Sequence, residues 1–319
     1  MSWQDDVERD LALIFDNLAG PGWLYGFERH FWLDLWRVPV FEAVEECGIE
    51  VRHYGPIRVF VLAAEPRTTL FNLMLGVTTF GAVKDGHLEE ALDWTESLGV
   101  DCRIPVRPDF GEPEAVEDHL IQRGYRHTAN LAMHVRGGGP PDFREPPGIR
   151  VDEITEAIEG FSDFFAAGYD MDWIGEGYLF GLPGRLDWRS YIAVNEDRES
   201  IAAASMMLHH EVAQLGFAST FESDRRQGAH LALLHRRIVD ALAAGSRKFF
   251  AVTEEPLDYP DSVSAGARNL FRVGFALGSM RGLWRPHEDL VAAEKDDEDE
   301  DELGEDDGLD DAHDFGLEH

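Results

Sequence analysis

Val212-Ala213-Gln214-Leu215-Gly216-Phe217-Ala218-Ser219-Thr220 is followed, four residues on, by Arg225-Arg226-Gln227-Gly228-Ala229-His230. From Leu231 to Ala244 the apolar residues then recur at helical spacing. The order is strand, loop, helix. Backbone N–H groups at the start of a helix lack intrahelical partners, and with the helix dipole they can hold a pyrophosphate. Gly228 lets the backbone approach such an anion with no Cβ in the way, and Arg225 and Arg226 offer side-chain charge to it. The segment reads as an anion site placed after a strand. A plain strand–turn–helix with two surface arginines would have the same local sequence, so the segment alone leaves both readings open.

Working outward, the spacing predicts a strand at Phe249–Thr253, a helix at Ala265–Val273 and a final strand at Phe275–Trp284. Upstream it predicts a strand at Val151–Ile154 and two helical stretches within Phe161–Tyr178. A meander of Tyr191–Val194, Ala202–Leu208 and Val212–Thr220 follows. Strands alternating with helices imply a mixed sheet covered on both faces. Gly137-Gly138-Gly139-Pro140-Pro141 and Pro146-Pro147 sustain neither helix nor sheet and mark a linker. Before it, Val7, Leu11, Ile14 and Leu18 suggest a helix stopped by Ala19-Gly20-Pro21-Gly22, and a second helix is expected from Phe31 to Cys47, broken at Pro39. Strands at Ile57–Leu62 and Asn72–Val77 come next, then a helix at His87–Leu98 and a strand at Cys102–Val106. A helix at Glu112–Arg123 and a strand at His127–Val135 complete this half. The expected division is 1–136, a linker at 137–148, a second domain at 149–290, and an acidic, disordered tail at 291–319.

The stretch from Ile149 to Pro286 resembles the GNAT superfamily of acyl-CoA N-acyltransferases. The phosphate loop of that superfamily runs Arg or Gln, two residues, Gly, one residue, then Gly or Ala. Arg225 and Gly228 match it, while His230 departs at the last position and is followed by Ala232-Leu233-Leu234, as in a subgroup with a polar residue there. The order of elements and the pair Gly274-Phe275 also match. Residues 1–136 look like a degenerate second copy, since Gly124-Tyr125 echoes Gly274-Phe275 but no Arg-x-x-Gly-x-Gly loop precedes His87. The resemblance implies an α/β (α+β) chain with two GNAT-like domains, each a mixed, mainly antiparallel sheet covered by helices. It also implies acetyl-CoA as cosubstrate. Residues Arg225, Arg226, Gln227, Gly228, Ala229 and His230 would hold its pyrophosphate. Backbone groups of Phe217, Ala218 and Ser219 would pair with the pantetheine arm, with Asn269 near the acetyl group. Many members carry a Tyr where Leu270 stands, to protonate the departing thiolate. Without it the thiolate leaves unaided, another group serves, or the half is an inactive relic.

A base must take a proton from the attacking amine within hydrogen-bond reach. The candidates are His209, His210, Glu211, Glu222, Glu254 and Glu255, with Tyr259 close in sequence. Glu254 is preferred as the catalytic residue because strand ends at the sheet opening face substrate. No metal is expected, since His209 and His210 point to opposite faces of a strand and no third ligand follows at useful spacing. The run from Asp297 to Asp310 departs from a calcium loop at its ligand positions. The net charge is −34. Residues 294–319 hold fifteen acids and one Lys, which leaves 47 acids against 27 bases elsewhere, still −20. That balance argues against nucleic acid and anionic membranes as partners. No run of eighteen apolar residues exists, and the acidic N-terminus is unlike a signal peptide. Cys47 and Cys102 read as inert core thiols in a cytoplasmic protein, and the closing Leu317-Glu318-His319 as a tag junction. The aromatics Trp23, Tyr25, Phe27, Phe31, Trp32 and Trp36 read as core more readily than as a ligand box. The expected activity is acetyl transfer to a small-molecule or protein amine. The alternatives are a noncatalytic acyl-CoA-binding or partner-binding protein, and an anion-binding α/β enzyme outside this superfamily.

Overall fold

The computed structural model describes residues 22–37, 47–68, 71–141, 146–156, 158, 160–169 and 181–287. The expected helix at Val7–Leu18, the acidic tail and the end of the expected helix at Phe161–Tyr178 lie outside them. The first described element is a helix, α1 (Gly22–Leu35). Leu24, Phe27, Phe31 and Leu35 recur at helical spacing and are all buried. The expected helix from Phe31 thus begins nine residues earlier; its first part ends at Leu35, ahead of the expected break at Pro39, and residues 38–46 lie outside the described residues. Its apolar stripe runs back through Phe27 and Leu24, and the expected stop at Ala19–Gly22 is overturned at Gly22, which begins the helix.

β1 (Ile49–Tyr54) and β2 (Ile57–Leu62) form a hairpin, and β3 (Leu73–Leu75) pairs with β2. β1 was not expected from the sequence. Glu50 and Arg52 pair side by side on its outer edge, the charged pattern of a strand with no outer neighbour. The chain continues through α2 (His87–Ser97), β4 (Ile104–Val106), α3 (Pro113–Gln122) and β5 (Arg126–Gly137). The second half is β6 (Arg150–Ile154), α4 (Asp163–Tyr169), β7 (Trp188–Val194), β8 (Ser200–His209), β9 (Val212–Thr220), α5 (Ala229–Ala243), β10 (Lys248–Glu255), α6 (Ala265–Arg272) and β11 (Ala276–Arg285).

One eight-stranded sheet has the order β4-β11-β5-β10-β9-β8-β7-β6. The sheet β1-β2-β3 meets its β4 edge through a parallel bridge between Leu73 and Arg103. The order repeats around its centre, where β5 and β11 lie side by side and antiparallel. β3 touches β4 in parallel, as β9 touches β10. The helix after each contact, α2 or α5, begins at a left-handed glycine, Gly86 or Gly228. Each half places its last strand between strands of the other: β11 lies between β4 and β5, and β5 between β11 and β10. The halves therefore share backbone hydrogen bonds.

The second-half sheet is covered on both faces. Leu215, Ala204 and Phe249 pack under α5 with Leu233 and Ile238. Phe217, Met207 and Phe250 pack on the other face under α1 and α4. The first half has its own core beneath α2 and α3. Among the described aromatics, Phe27, Phe31, Trp32 and Trp36 are buried in this packing. Cys47 and Cys102 are both buried, and burial pushes the Cys102 thiol well above its usual range. α1 is also tied to β11 by a buried ion pair, with both Arg281 guanidinium nitrogens donating to the Glu28 carboxylate at 2.7 and 2.8 Å. Among the described residues no helix is long and apolar enough to cross a membrane.

Candidate functional site

β9 and β10 pair in parallel only where Val212–Gln214 faces Lys248–Phe250. Beyond that they diverge. On its other edge β9 carries a bulge: Ala218 faces Ala204 and Gly216 faces Ser205, so Phe217 is the extra residue, held at φ 39°. Arg237 of α5 braces this bulge, donating at 3.0 Å to both the Ser205 and Gly216 carbonyls. Its guanidinium is 1% exposed. Burial lowers its pKa to about 10, which leaves a cation beneath the bulge at neutral pH.

The divergence opens a cleft of about 380 Å³. Gln214 to Phe217 form one wall, and Leu131, Val252 and Glu254 the other. Phe31 and Trp32 of α1 reach in from the first half. Gly216 leaves room for that roof, since a Cβ there would press on the Phe31 ring at 3.1 Å. Tyr169 is the one hydroxyl among the lining residues, and its oxygen accepts the Ala218 N–H at 3.3 Å. Burial raises the Tyr169 pKa, so the phenol keeps its proton.

The loop after β9 forms as its sequence requires. Positive φ at Arg226 (69°) and Gly228 (97°), on either side of Gln227, turns successive N–H groups toward one side, an anion-binding concavity. No side chain caps α5, its first turn holds no acid, and its first backbone bond is Ala232 N–H to Gly228 O. The N–H groups of Ala229, His230 and Leu231 thus have no protein acceptor among the described residues. Arg225 and Arg226 are exposed, and Arg225 makes only a loose 3.6 Å pair with Glu222. The counterpart helix α2 differs, with Glu89 and Glu90 in its first turn and the Leu88 N–H bonded to Ala82. Acids there repel an anion.

Asn269 and His230, 39 residues apart, are brought together: the Asn269 amide donates to His230 Nδ1 at 2.9 Å. Burial, and then the Arg237 charge, lowers the His230 pKa to about 4, so the ring is neutral at pH 7. Because the folded pKa lies below the unfolded value near 6.5, the native state binds fewer protons and loses stability as pH falls from about 6.5 toward 4. In urea titrations between pH 7 and 4.5, His230→Gln should lose less stability than the native chain. An equal loss in both would show that His230 is not held neutral.

Glu254 lies one residue before the end of β10 and lines the cleft. Its Oε2 lies 2.8 Å from Arg103 and 3.6 Å from Arg285, and Oε1 takes part in neither pair. Of the other acidic candidates, two are held by partners and one stands at the surface. Glu255 is buried, accepting the Ser264 N–H and hydroxyl at the cap of α6. Glu211 pairs with Lys248, and Glu222 is a surface group beside Arg225. Sequence reasoning missed Tyr169, Arg237 and Arg103, which reach the site from other elements. Leu270 is buried in the core under α5, so its position offers the cleft no hydroxyl.

The whole-chain comparison agrees with this geometry. No family model and no curated protein matches the sequence. Solved structures do match. A GCN5-related N-acetyltransferase from Sphaerobacter thermophilus superposes with TM-score 0.55 at 14% identity, over 73% of this chain and 77% of that one. Another from Kribbella flavida gives 0.55 at 13% identity, over 77% and 91%. A tandem GNAT protein from the clavulanic acid biosynthesis pathway gives 0.50 at 12% identity, over 73% and 78%. The chain has the GNAT fold. Its two GNAT-like halves are mixed, mainly antiparallel sheets covered by helices, joined through β5 and β11. Within this GNAT fold the second half has the strand divergence, the bulge and an uncapped helix start with no acid in its first turn. From α1 onward the first half has the order that the second has from α4, with no counterpart of β6 among the described residues and with the helix start acidic.

Proposed function

We propose that the chain is an acetyl-CoA-dependent N-acetyltransferase working in the second half, at the divergence of β9 and β10. The reading rests on one conjunction: a bulged strand edge opens beside a helix start whose N–H groups face an anion without competition from acids. The loop from Arg225 to His230 would hold the pyrophosphate. The backbone of Phe217, Ala218 and Ser219 would take the pantetheine arm, with Tyr169 yielding the Ala218 N–H. The bound thioester supplies the acetyl group and a thiolate leaving group. Arg237, beneath the bulge, strengthens the N–H dipoles that face the thioester oxygen.

The acceptor is an amine, a small molecule or a protein side chain. Glu254 Oε1 would receive its proton, directly or through water. Arg103 and Arg285 hold Oε2, which leaves Oε1 to hold the amine and accept its proton as the N–C bond forms. Tyr169, kept protonated by burial, is the hydroxyl offered to the thiolate in place of the residue absent at Leu270.

Release of CoA thiol with a broad amine panel tests the activity. Glu254→Gln and Tyr169→Phe should each lower kcat by about 100-fold, the scale of general acid–base catalysis, with little change in KM for acetyl-CoA. Calorimetry should give about one acetyl-CoA per chain, because Glu89 and Glu90 disqualify the first half. Binding without turnover on any amine would leave a noncatalytic acyl-CoA-binding protein. Two sites per chain would mean that the first half is misread.

A further inference from the structure

Outside the cleft, one buried imidazole among the described residues has no hydrogen-bond partner at either ring nitrogen. His30 of α1 is 7% exposed, and neither ring nitrogen has a hydrogen bond. Buried polar atoms in native folds are almost always satisfied, so an exception calls for an explanation. A phenyl or leucyl side chain would fill the same place beside Phe27, whose ring meets His30 edge-on at 6.2 Å. Its other neighbours supply the explanation. The His209 ring, at the end of β8, has its centroid 4.7 Å from that of His30. His209 Nδ1 in turn lies 3.5 Å from Asp187 Oδ2, just before β7. One donor atom from each of the three lies within 4.8 Å of the other two.

We propose that His30, His209 and Asp187 form a binding site for one divalent transition-metal cation of the zinc type. Two imidazoles and a carboxylate suit zinc, cobalt or nickel, whereas calcium and magnesium take oxygen ligands. Metal–ligand bonds of about 2.0–2.2 Å place tetrahedral donors about 3.3 Å apart, so small side-chain rotations close the present spacing. Burial lowers the pKa of both histidines, which keeps them in the neutral form that coordinates. The Asp187 side chain is 37% exposed, which gives the ion a path from solvent and the fourth position a water. The ligands come from both halves of the chain, so the ion would clamp α1 onto the β8–β9 hairpin. His30 adjoins Phe31, part of the cleft roof, so the clamp would set the position of that roof. The inference is independent of acyl transfer.

The test uses metal-free, tag-free full-length protein titrated with zinc against a chromophoric chelator. One equivalent should bind with Kd at or below about 1 μM, and the melting temperature should rise because the ion binds only the folded chain. Cobalt should give visible d–d bands of a low-coordinate nitrogen–oxygen site. His30→Ala should weaken zinc binding by about 100-fold and abolish those bands. Asp187→Asn, at the solvent edge and of equal size, should weaken it by at least about 10-fold, and it decides the matter if His30→Ala misfolds. Zinc binding weaker than about 100 μM in the native chain, or equal binding in native and Asp187→Asn protein, overturns the site.

Discussion

Acetyl-CoA should raise the melting temperature of the native chain and leave that of Gly228→Asp unchanged. At one hundred times its Kd a ligand adds about 2.7 kcal/mol of apparent stability, a shift of several degrees in a chain of this size. Gly228 stands at φ 97° immediately before α5. An aspartate there would set a carboxylate among the N–H groups that would hold the pyrophosphate. The substitution also strains the backbone, and its Cβ would lie 3.0 Å from Pro146. Gly228→Asn separates the two effects, since it has the same size and tolerates positive φ without the charge. It should bind acetyl-CoA weakly, and the aspartate variant should not bind. A folded Gly228→Asp that shifts as the native chain does would sink the assignment of the site.

Glu28→Ala should destabilise the chain by about 3–5 kcal/mol, because it leaves the Arg281 guanidinium buried without its carboxylate. Both partners are nearly inaccessible, with side chains 2% and 6% exposed. Tyr25 lies against the same cation, 5.8 Å from ring centroid to guanidinium carbon, and its hydroxyl donates to Ser279 on β11. The pair is a polar join between a helix of the first half and the last strand of the second. The double variant Glu28→Ala/Arg281→Met should recover much of the loss, since no charge is then stranded. Urea denaturation of the three variants measures this. A cost below about 1 kcal/mol for Glu28→Ala would mean that water reaches the cation.

Several parts of the site were legible because they depend on local chemistry. The Arg225–His230 loop needs a glycine at the helix start and a strand before it, and both requirements appear within one short stretch. The helix α5 was legible from apolar spacing alone, as were β8 and β9 from their apolar runs. The proposed base was less legible. Glu254 was placed correctly at a strand end, but its guanidinium partners are Arg103, about 150 residues away in the chain, and Arg285. The proposed ion site is a case of the same kind. The expected divergence of His209 and His210 is not seen, since their rings meet edge-on with centroids 4.5 Å apart at the turn, and the groups proposed to ligate an ion with His209 are His30 and Asp187, which no local spacing connects to it.

The sequence by itself determined the two repeats of elements, the phosphate-type loop in only one of them, and the apolar faces that make each sheet and helix. Those follow from periodicity, glycine conformations and capping, which act over a few residues. Only the tertiary structure decided that β5 and β11 cross into each other's half, that α1 covers the second sheet, and that Tyr169, Arg237 and His30 take their places. Such placements depend on strand pairing between distant segments, and backbone hydrogen bonds carry no sequence label. What selects them is the fit of whole faces: the Leu24–Phe27–Phe31 stripe against Phe217 and Phe250, and one buried charge, Arg281, matched to Glu28.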